Sequence, residues 1–215
     1  MQPLYSLSPR SSFPPVELAD EDGLMAIGGN LSEELLLEAY HRGIFPWYDS
    51  SQPLLWWSPD PRMVLFPEKL RVSKSMKQLL KKEAFQVSFN QNFAEVIEAC
   101  SLVPRKGQDG TWITEEMQRA YIRLHKIGWA QSVEVWQEKQ LVGGLYGIYL
   151  KDKGVFCGES MFSRQSNASK FGFIKWVERL KVEGVRLIDC QVHTEHMESL
   201  GAEEIPRADF LKFLE

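Results

Sequence analysis

The chain has 215 residues, a formal net charge of −4 and 44% hydrophobic side chains, which predicts a folded protein with a real core. Three scattered cysteines exclude a disulfide scaffold, and no apolar run approaches the roughly 20 residues of a membrane span. The acidic total argues against a protein that coats nucleic acid through bulk charge. Residues 1–18 lack the basic and apolar regions of an export signal, so we expect a cytoplasmic protein.

The N-terminal part is predicted to hold one helix among irregular segments. Asn30 or Ser32 is placed to cap a helix that ends near Arg42 and carries Tyr40 on its apolar side. An aromatic loop follows at residues 45–47. The first residues, rich in Ser and Pro, are expected to be extended.

A proline-punctuated stretch over residues 56–62 is interpreted as an irregular connection between domains. This boundary predicts a small N-terminal α/β domain of residues 1–62 and a larger domain of residues 63–215. Two hairpins, a long helix, a strand and a further helix predict a mixed α+β sheet with flanking helices in the larger domain. Its predicted strands are 63–66, 85–89, 132–137, 141–150, 153–159 and 185–191. Its predicted helices are 73–82, 93–100, 114–127, 168–182, 195–200 and 207–214, with a Gly/Asp loop at 105–110.

The charge is unevenly distributed along the chain. Residues 1–60 hold two basic and nine acidic side chains, whereas residues 61–110 hold nine basic and five acidic ones. Ser73 is placed to cap a helix with a basic face. Its lysines are Lys74, Lys77, Lys81 and Lys82. Two interpretations stay open, a solvated helix face and a docking site for phosphates.

Carboxylates stand out on two apolar strands. Side chains alternate along a strand, so Asp189 and Gln191 share one face. Glu159 ends the preceding strand and is expected to face them. A buried carboxylate is costly unless it is paired, so a structural role with Lys170 or Arg164 as partner is one interpretation. The other is proton transfer or binding of a cationic substrate group.

The spacing Cys190-x-x-His193-x-x-His196 matches no usual zinc pattern, so we predict no metal site. A Cys–His nucleophile is also disfavoured, because Cys190 points away from Asp189 and a cysteine inside a strand is ordinarily a small hydrophobe.

Four tryptophans, Trp47, Trp56, Trp57 and Trp112, fall in predicted loops or at element ends. Each one alone is explained by ordinary packing. As a set beside a basic helix, they favour aromatic walls that stack on a base or enclose an apolar side chain.

A series of segments spans almost the whole sequence: ELADEDGLMAIGGNLS, AYHRGIFPWY, WWSPDPR, GTWI, LHKIGWAQSVEVW, LVGGLYG, FCGESMFS, ASK and LIDCQ. In these segments and their order the chain closely resembles the leucyl/phenylalanyl-tRNA–protein transferases. The resemblance implies a GCN5-related acetyltransferase-like fold behind a small N-terminal domain. It also implies transfer of Leu, Phe or Met from aminoacyl-tRNA to proteins that begin with Arg or Lys, which marks them for N-end-rule degradation. No cofactor or membrane is implied, and a monomer is expected.

The resemblance also implies roles for individual residues. Asp189 and Gln191 correspond to the pair that assists deprotonation of the attacking amine, and Glu159 to a carboxylate near the ester or the acceptor. Trp47 and Trp112 correspond to aromatic walls for the terminal adenosine. The pocket for the donor side chain corresponds to Leu145, Phe156 and Ile188. The grip on the acceptor stem corresponds to Lys74, Lys77, Lys81 and Lys82.

Two other classes stay open. One is a coenzyme-A-dependent N-acyltransferase, which is disfavoured because residues 164–168 lack the glycines of a pyrophosphate loop. The other is a non-catalytic adaptor for basic N-termini, for which a tRNA-binding surface would have no use.

Overall fold

The computed structural model describes residues 5–8, 12–103 and 111–215, so the loop expected at 105–110 lies outside the described residues. Within these ranges the N-terminal part forms a four-stranded sheet in the order β1-β2-β4-β3. Its strands are β1 (Tyr5–Leu7), β2 (Leu24–Gly28), β3 (Phe45–Pro46) and β4 (Leu55–Trp57), and helix α1 spans Glu33–His41.

Helix α1 confirms the predicted helix. The Ser32 hydroxyl accepts the backbone N–H of Leu35 at 3.3 Å, which caps the first turn. The predicted irregular segments around it are wrong in part, because β3 lies in the aromatic loop and β4 enters the proline-rich connection. Trp56 on β4 is fully buried, and its Nε1 donates to the Gly28 carbonyl at 2.9 Å. It is therefore a core residue.

A mixed seven-stranded sheet, in the order β11-β5-β10-β9-β8-β7-β6, organises the rest of the described chain. The strands are β5 (Arg62–Leu65), β6 (Gln86–Phe89), β7 (Ala130–Gln137), β8 (Gln140–Leu150), β9 (Val155–Ser163), β10 (Leu187–Gln191) and β11 (Glu203–Ile205). The helices are α2 (Lys74–Lys81), α3 (Phe93–Ser101), α4 (Glu115–Lys126), α5 (Ala168–Val182), α6 (Glu195–Ser199) and α7 (Arg207–Leu211). Strand β11 was not predicted.

Helices cover both faces of this sheet. Helix α5 packs on one face through Phe173, Trp176 and Leu180, whereas α3 and α4 pack on the other with the N-terminal sheet. The predicted class, a mixed α+β sheet with flanking helices behind a small N-terminal domain, is confirmed. The boundary after Arg62 stays a prediction, and Arg62 itself begins β5. In the described part of the chain, no helix has both the length and the apolar character for crossing a membrane.

The sheet opens between its two parallel strands. Strands β9 and β10 pair only up to Cys157 and Asp189, after which β9 continues beside β8 alone. Glu159 is an extra residue in the β8–β9 register, and Gln191 has a φ of +65°, which turns the chain out of β10. The bulge and the turn leave a wedge-shaped opening between the strands.

Candidate active site

The opening between β9 and β10 holds a cavity of about 520 Å³. The three residues expected to form an apolar pocket, Leu145, Phe156 and Ile188, all line it and are at most 3% exposed. Met161 and Phe173 extend the same wall. The structure therefore brings together an apolar pocket from four different elements.

Aromatic side chains form another part of the cavity wall. Trp47 and Trp112 both line the cavity, and Trp47 keeps 37% of its surface exposed. Trp57 supports Trp47, because its Nε1 donates to the Trp47 carbonyl at 2.7 Å and the two rings meet edge to face. Two of the four tryptophans singled out in the sequence therefore face the cavity, and a third holds one of them in place.

Glu159 is the polar centre of the cavity. Its Oε1 accepts hydrogen bonds from the Tyr40 hydroxyl at 2.7 Å and the Gln191 amide at 2.9 Å. Its Oε2 accepts the Tyr121 hydroxyl at 3.2 Å. Burial raises the pKa of the Glu159 carboxyl to about 7, although these donors oppose the shift. Near neutral pH this carboxyl is therefore poised to take up or release a proton.

The Tyr40 and Tyr121 hydroxyl oxygens also contact each other, so two phenol protons are shared among three contacts of these hydroxyls and Glu159. The pKa of both hydroxyls is raised well above the usual value. Burial is the larger cause, and the nearby Glu159 charge is the second. Both residues therefore stay neutral donors. Sequence reasoning placed Tyr40 only on an apolar helix face, because nothing local indicates a partner that lies 119 residues away.

Asp189 lies behind the cavity and is paired with Arg62, a residue that the sequence analysis did not single out. The Arg62 Nε and Nη2 donate to the two Asp189 oxygens at 2.8 and 2.7 Å, and both side chains are 1% exposed. Asp189 is thus not paired with Lys170 or Arg164, the partners named in the structural interpretation. Arg62 is its partner because it begins the neighbouring strand β5 and lies in the same buried position. Phe45 and Phe210 pack against the Arg62 guanidinium, whose central carbon lies 4.9 and 4.6 Å from the two ring centroids.

The alternation predicted for β10 holds only in part. Asp189 bonds Arg62 and Gln191 bonds Glu159, whereas Cys190 packs with an apolar cluster. The register of β10 shifts between Asp189 and Gln191, and the positive φ of Gln191 breaks the regular alternation there. Asp189 Oδ1 accepts the backbone N–H of Gln191 at 2.9 Å, so it holds the backbone of Gln191 and not its side-chain amide. This geometry makes Asp189 a positioning residue, and a direct role in catalysis stays a prediction.

Two family models match the chain. The model described as leucyl/phenylalanyl-tRNA protein transferase N-terminal domain matches residues 29–60, and the model described as leucyl/phenylalanyl-tRNA protein transferase matches residues 64–215. The chain belongs to the leucyl/phenylalanyl-tRNA protein transferase family.

Relatives with this family name match over nearly the whole length. One from Christiangramia forsetii is 64% identical over 98% of this chain and 100% of its own length. Another from Flavobacterium johnsoniae is 56% identical over 98% of this chain and 99% of its own length. Among solved structures, a GCN5-related N-acetyltransferase from Kribbella flavida aligns over 80% of this chain and 60% of its own, at 11% identity and a TM-score of 0.38.

The basic helix of this leucyl/phenylalanyl-tRNA protein transferase family member is α2, and it begins as predicted. The Ser73 hydroxyl accepts the backbone N–H of Met76 at 3.2 Å, and Met76 is buried against Phe171 and Ile174 of α5. The four lysines are exposed to solvent. The structure thus places a row of cations on one surface, and its role stays a prediction.

The Cys–His motif is split in the structure. Cys190 and His196 both line the cavity, and burial raises the pKa of the Cys190 thiol. His193 is exposed and contacts Glu198 at 3.2 Å. Among the described residues, no three His, Cys, Asp or Glu side chains come together in a way that would hold a metal ion.

Proposed function

We propose that this chain transfers Leu, Phe or Met from aminoacyl-tRNA to the N-terminal α-amine of proteins that begin with Arg or Lys, as a cytoplasmic monomer. The transfer would mark these proteins for degradation through the N-end rule. The observation that carries the proposal is that one cavity joins an apolar pocket to a carboxylate whose pKa is about 7. Relatives that share the family name and up to 64% identity support it.

The proposed reaction is aminolysis of an ester. The acceptor nitrogen attacks the ester carbon, a C–N bond forms, and the bond to the terminal ribose oxygen breaks. An α-amine has a reference pKa of about 7.7–8.0, so part of it is neutral near pH 7. The enzyme then needs mainly to align amine and ester and to move one proton.

Gln191 and Glu159 fit the proton transfer. The Gln191 Nε2 donates to Glu159, which orients the amide so that its carbonyl oxygen accepts an N–H of the amine. One N–H of the amine stays hydrogen-bonded to Gln191, while the other proton leaves the nitrogen for the Glu159 carboxylate and then passes to the departing ribose oxygen. Asp189 and Arg62 keep the Gln191 backbone in place throughout.

Transfer is tested by incubating the protein with leucyl-, phenylalanyl- or methionyl-tRNA and a peptide that begins with Arg, followed by mass spectrometry. We expect one added residue on this peptide and none on its N-acetylated form. Absence of product with all three donors would overturn the proposal. A product formed from acetyl-CoA would favour the acyltransferase alternative, and peptide binding without transfer would favour the adaptor.

Narrowing the pocket should change the choice of donor. Leu145→Phe adds volume to a wall of the cavity, so we expect kcat/KM for phenylalanyl-tRNA to fall roughly 10- to 200-fold more than for leucyl-tRNA. Competition between the two charged tRNAs measures this ratio. Leu18→Phe is the matched control, because Leu18 is 52% exposed. An unchanged ratio would remove Leu145 from the donor pocket.

Charge reversal on α2 tests the proposed grip on tRNA. Replacing Lys74, Lys77 and Lys81 with Glu should weaken tRNA binding and reduce its salt dependence, because each phosphate contact releases counterions. Affinity measured at several salt concentrations gives the slope. Reversal of three other exposed lysines, Lys126, Lys139 and Lys151, changes the net charge equally and is the control. If both triple variants behave alike, α2 is only a solvated face.

A further inference from the structure

One edge of β9, at Met161 and Ser163, is a hydrogen-bonding surface inside the cavity. Beyond Cys157, the described part of β9 pairs with β8 alone, and all residues from Gly158 to Ser163 line the cavity. A strand that has lost one neighbour presents backbone groups along that side for pairing with another chain. Among the described residues, no other strand pairs with β9 there.

The β8–β9 register shows which residues face the opening. The Arg164 backbone N–H donates to the Val142 carbonyl at 2.7 Å, and these two residues continue the register in which Phe162 lies opposite Gly144. Opposed residues in an antiparallel pair alternate between those that exchange hydrogen bonds and those that do not. Phe162 therefore directs its backbone groups towards β8.

Met161 and Ser163 occupy the alternate positions, so their backbone N–H and C=O groups point into the opening. Two residues of a strand span about 6.8 Å, which is also the repeat of an extended peptide that lies alongside. The edge thus offers a template that matches the main chain of a peptide at every second residue.

We propose that this edge binds the main chain of the acceptor protein as an added β-strand, directly after its N-terminal residue. The inference rests on the proposed function. Glu159 lies only two residues before Met161, so a chain whose amine is at Glu159 enters the edge at once.

The acceptor, and not the donor, fits this edge. The family resemblance assigns the donor's terminal adenosine to the wall formed by Trp47 and Trp112, which lies outside β9. The edge of β9 runs instead from Glu159 to Ser163, before α5 begins. Residues 158–163 carry a carboxylate and no cation, which suits a basic N-terminus. Main-chain pairing reads no side chains, so it accepts proteins that differ after their first residue.

Acceptor peptides that begin with Arg and carry one N-methylated amide, at residue 2, 3 or 4, test this proposal on the unmodified enzyme. An N-methyl group removes the donor and places a methyl between the paired strands. In an added strand, only every second amide faces β9. We therefore expect KM to rise roughly tenfold either for the peptide methylated at residue 3 or for the two methylated at residues 2 and 4, with little change for the other set. A peptide methylated at residue 8, beyond the reach of this edge, is the control.

Equal KM values for all the methylated peptides and the unmodified one would overturn the proposal, and so would equal losses at residues 2, 3 and 4. Transfer to the unmodified peptide tests the proposed function independently of the strand pairing. If it receives no amino acid, the proposed function fails, and the strand pairing fails with it.

Discussion

Replacing Glu159 with glutamine is expected to slow aminoacyl transfer by about 10²–10⁴-fold while aminoacyl-tRNA binds with unchanged affinity. The variant keeps the size of the side chain, and its amide can accept from Tyr40 and donate to the Tyr121 oxygen, but it removes the group proposed to take the amine proton. Single-turnover transfer with saturating peptide measures the chemical step. Transfer at the wild-type rate would exclude Glu159 as the proton acceptor.

The pH dependence distinguishes loss of a base from loss of structure. Because the pKa of Glu159 is about 7, its carboxylate form increases as the pH rises through 7, and the wild-type rate should rise with it. The glutamine variant should lose this dependence and keep only the one caused by the acceptor amine, near about 7.7–8.0. Profiles of the same shape in both proteins would contradict the role.

Gln191→Glu is a useful companion to the Glu159 variant. It places a second carboxylate beside Glu159, and like charges this close disfavour double ionisation. We expect the rise of the transfer rate with pH to shift to higher pH while the fold is retained. An unshifted profile would indicate that Glu159 does not titrate in the rate-limiting step.

Helices of the large domain were predictable because their signals are local. Ser73 and Thr114 cap α2 and α4, and the predicted helix 168–182 agrees with α5 at both ends. Strands β3 and β4 were missed because two or three residues are too few to show alternation, and their pairing depends on β2. Local patterns therefore determine the long elements, and tertiary contacts determine the short ones.

The site was only partly accessible from sequence. Strand patterns pointed to Asp189, Gln191 and Glu159, whereas the apolar pocket residues came from the family resemblance. No local signal could show that β9 and β10 separate after three pairs, or that a bulge at Glu159 lies beside two tyrosines. Arg62 was missed for the same reason, since its partner lies 127 residues away.

Replacing Arg62 with methionine is expected to lower the free energy of unfolding by about 3–5 kcal/mol. The loss arises because Asp189, which is 1% exposed, would keep a buried charge without its partner. Phe45 and Phe210 would still pack against the methionine, so lost packing contributes little. Urea unfolding followed by circular dichroism measures the change.

Two comparisons make the Arg62 prediction specific. Arg123→Met breaks a surface pair with Glu33, whose side chains are 46% and 32% exposed, and it should cost at most about 1 kcal/mol. The double variant Arg62→Met/Asp189→Leu should recover much of the stability, because neither buried charge is left, yet transfer should stay slow since the Gln191 backbone has lost its acceptor. The double variant would then recover its stability without recovering its transfer rate. If the ion pair were purely structural, both would recover together. If the double variant regains both, Asp189 contributes to the fold alone.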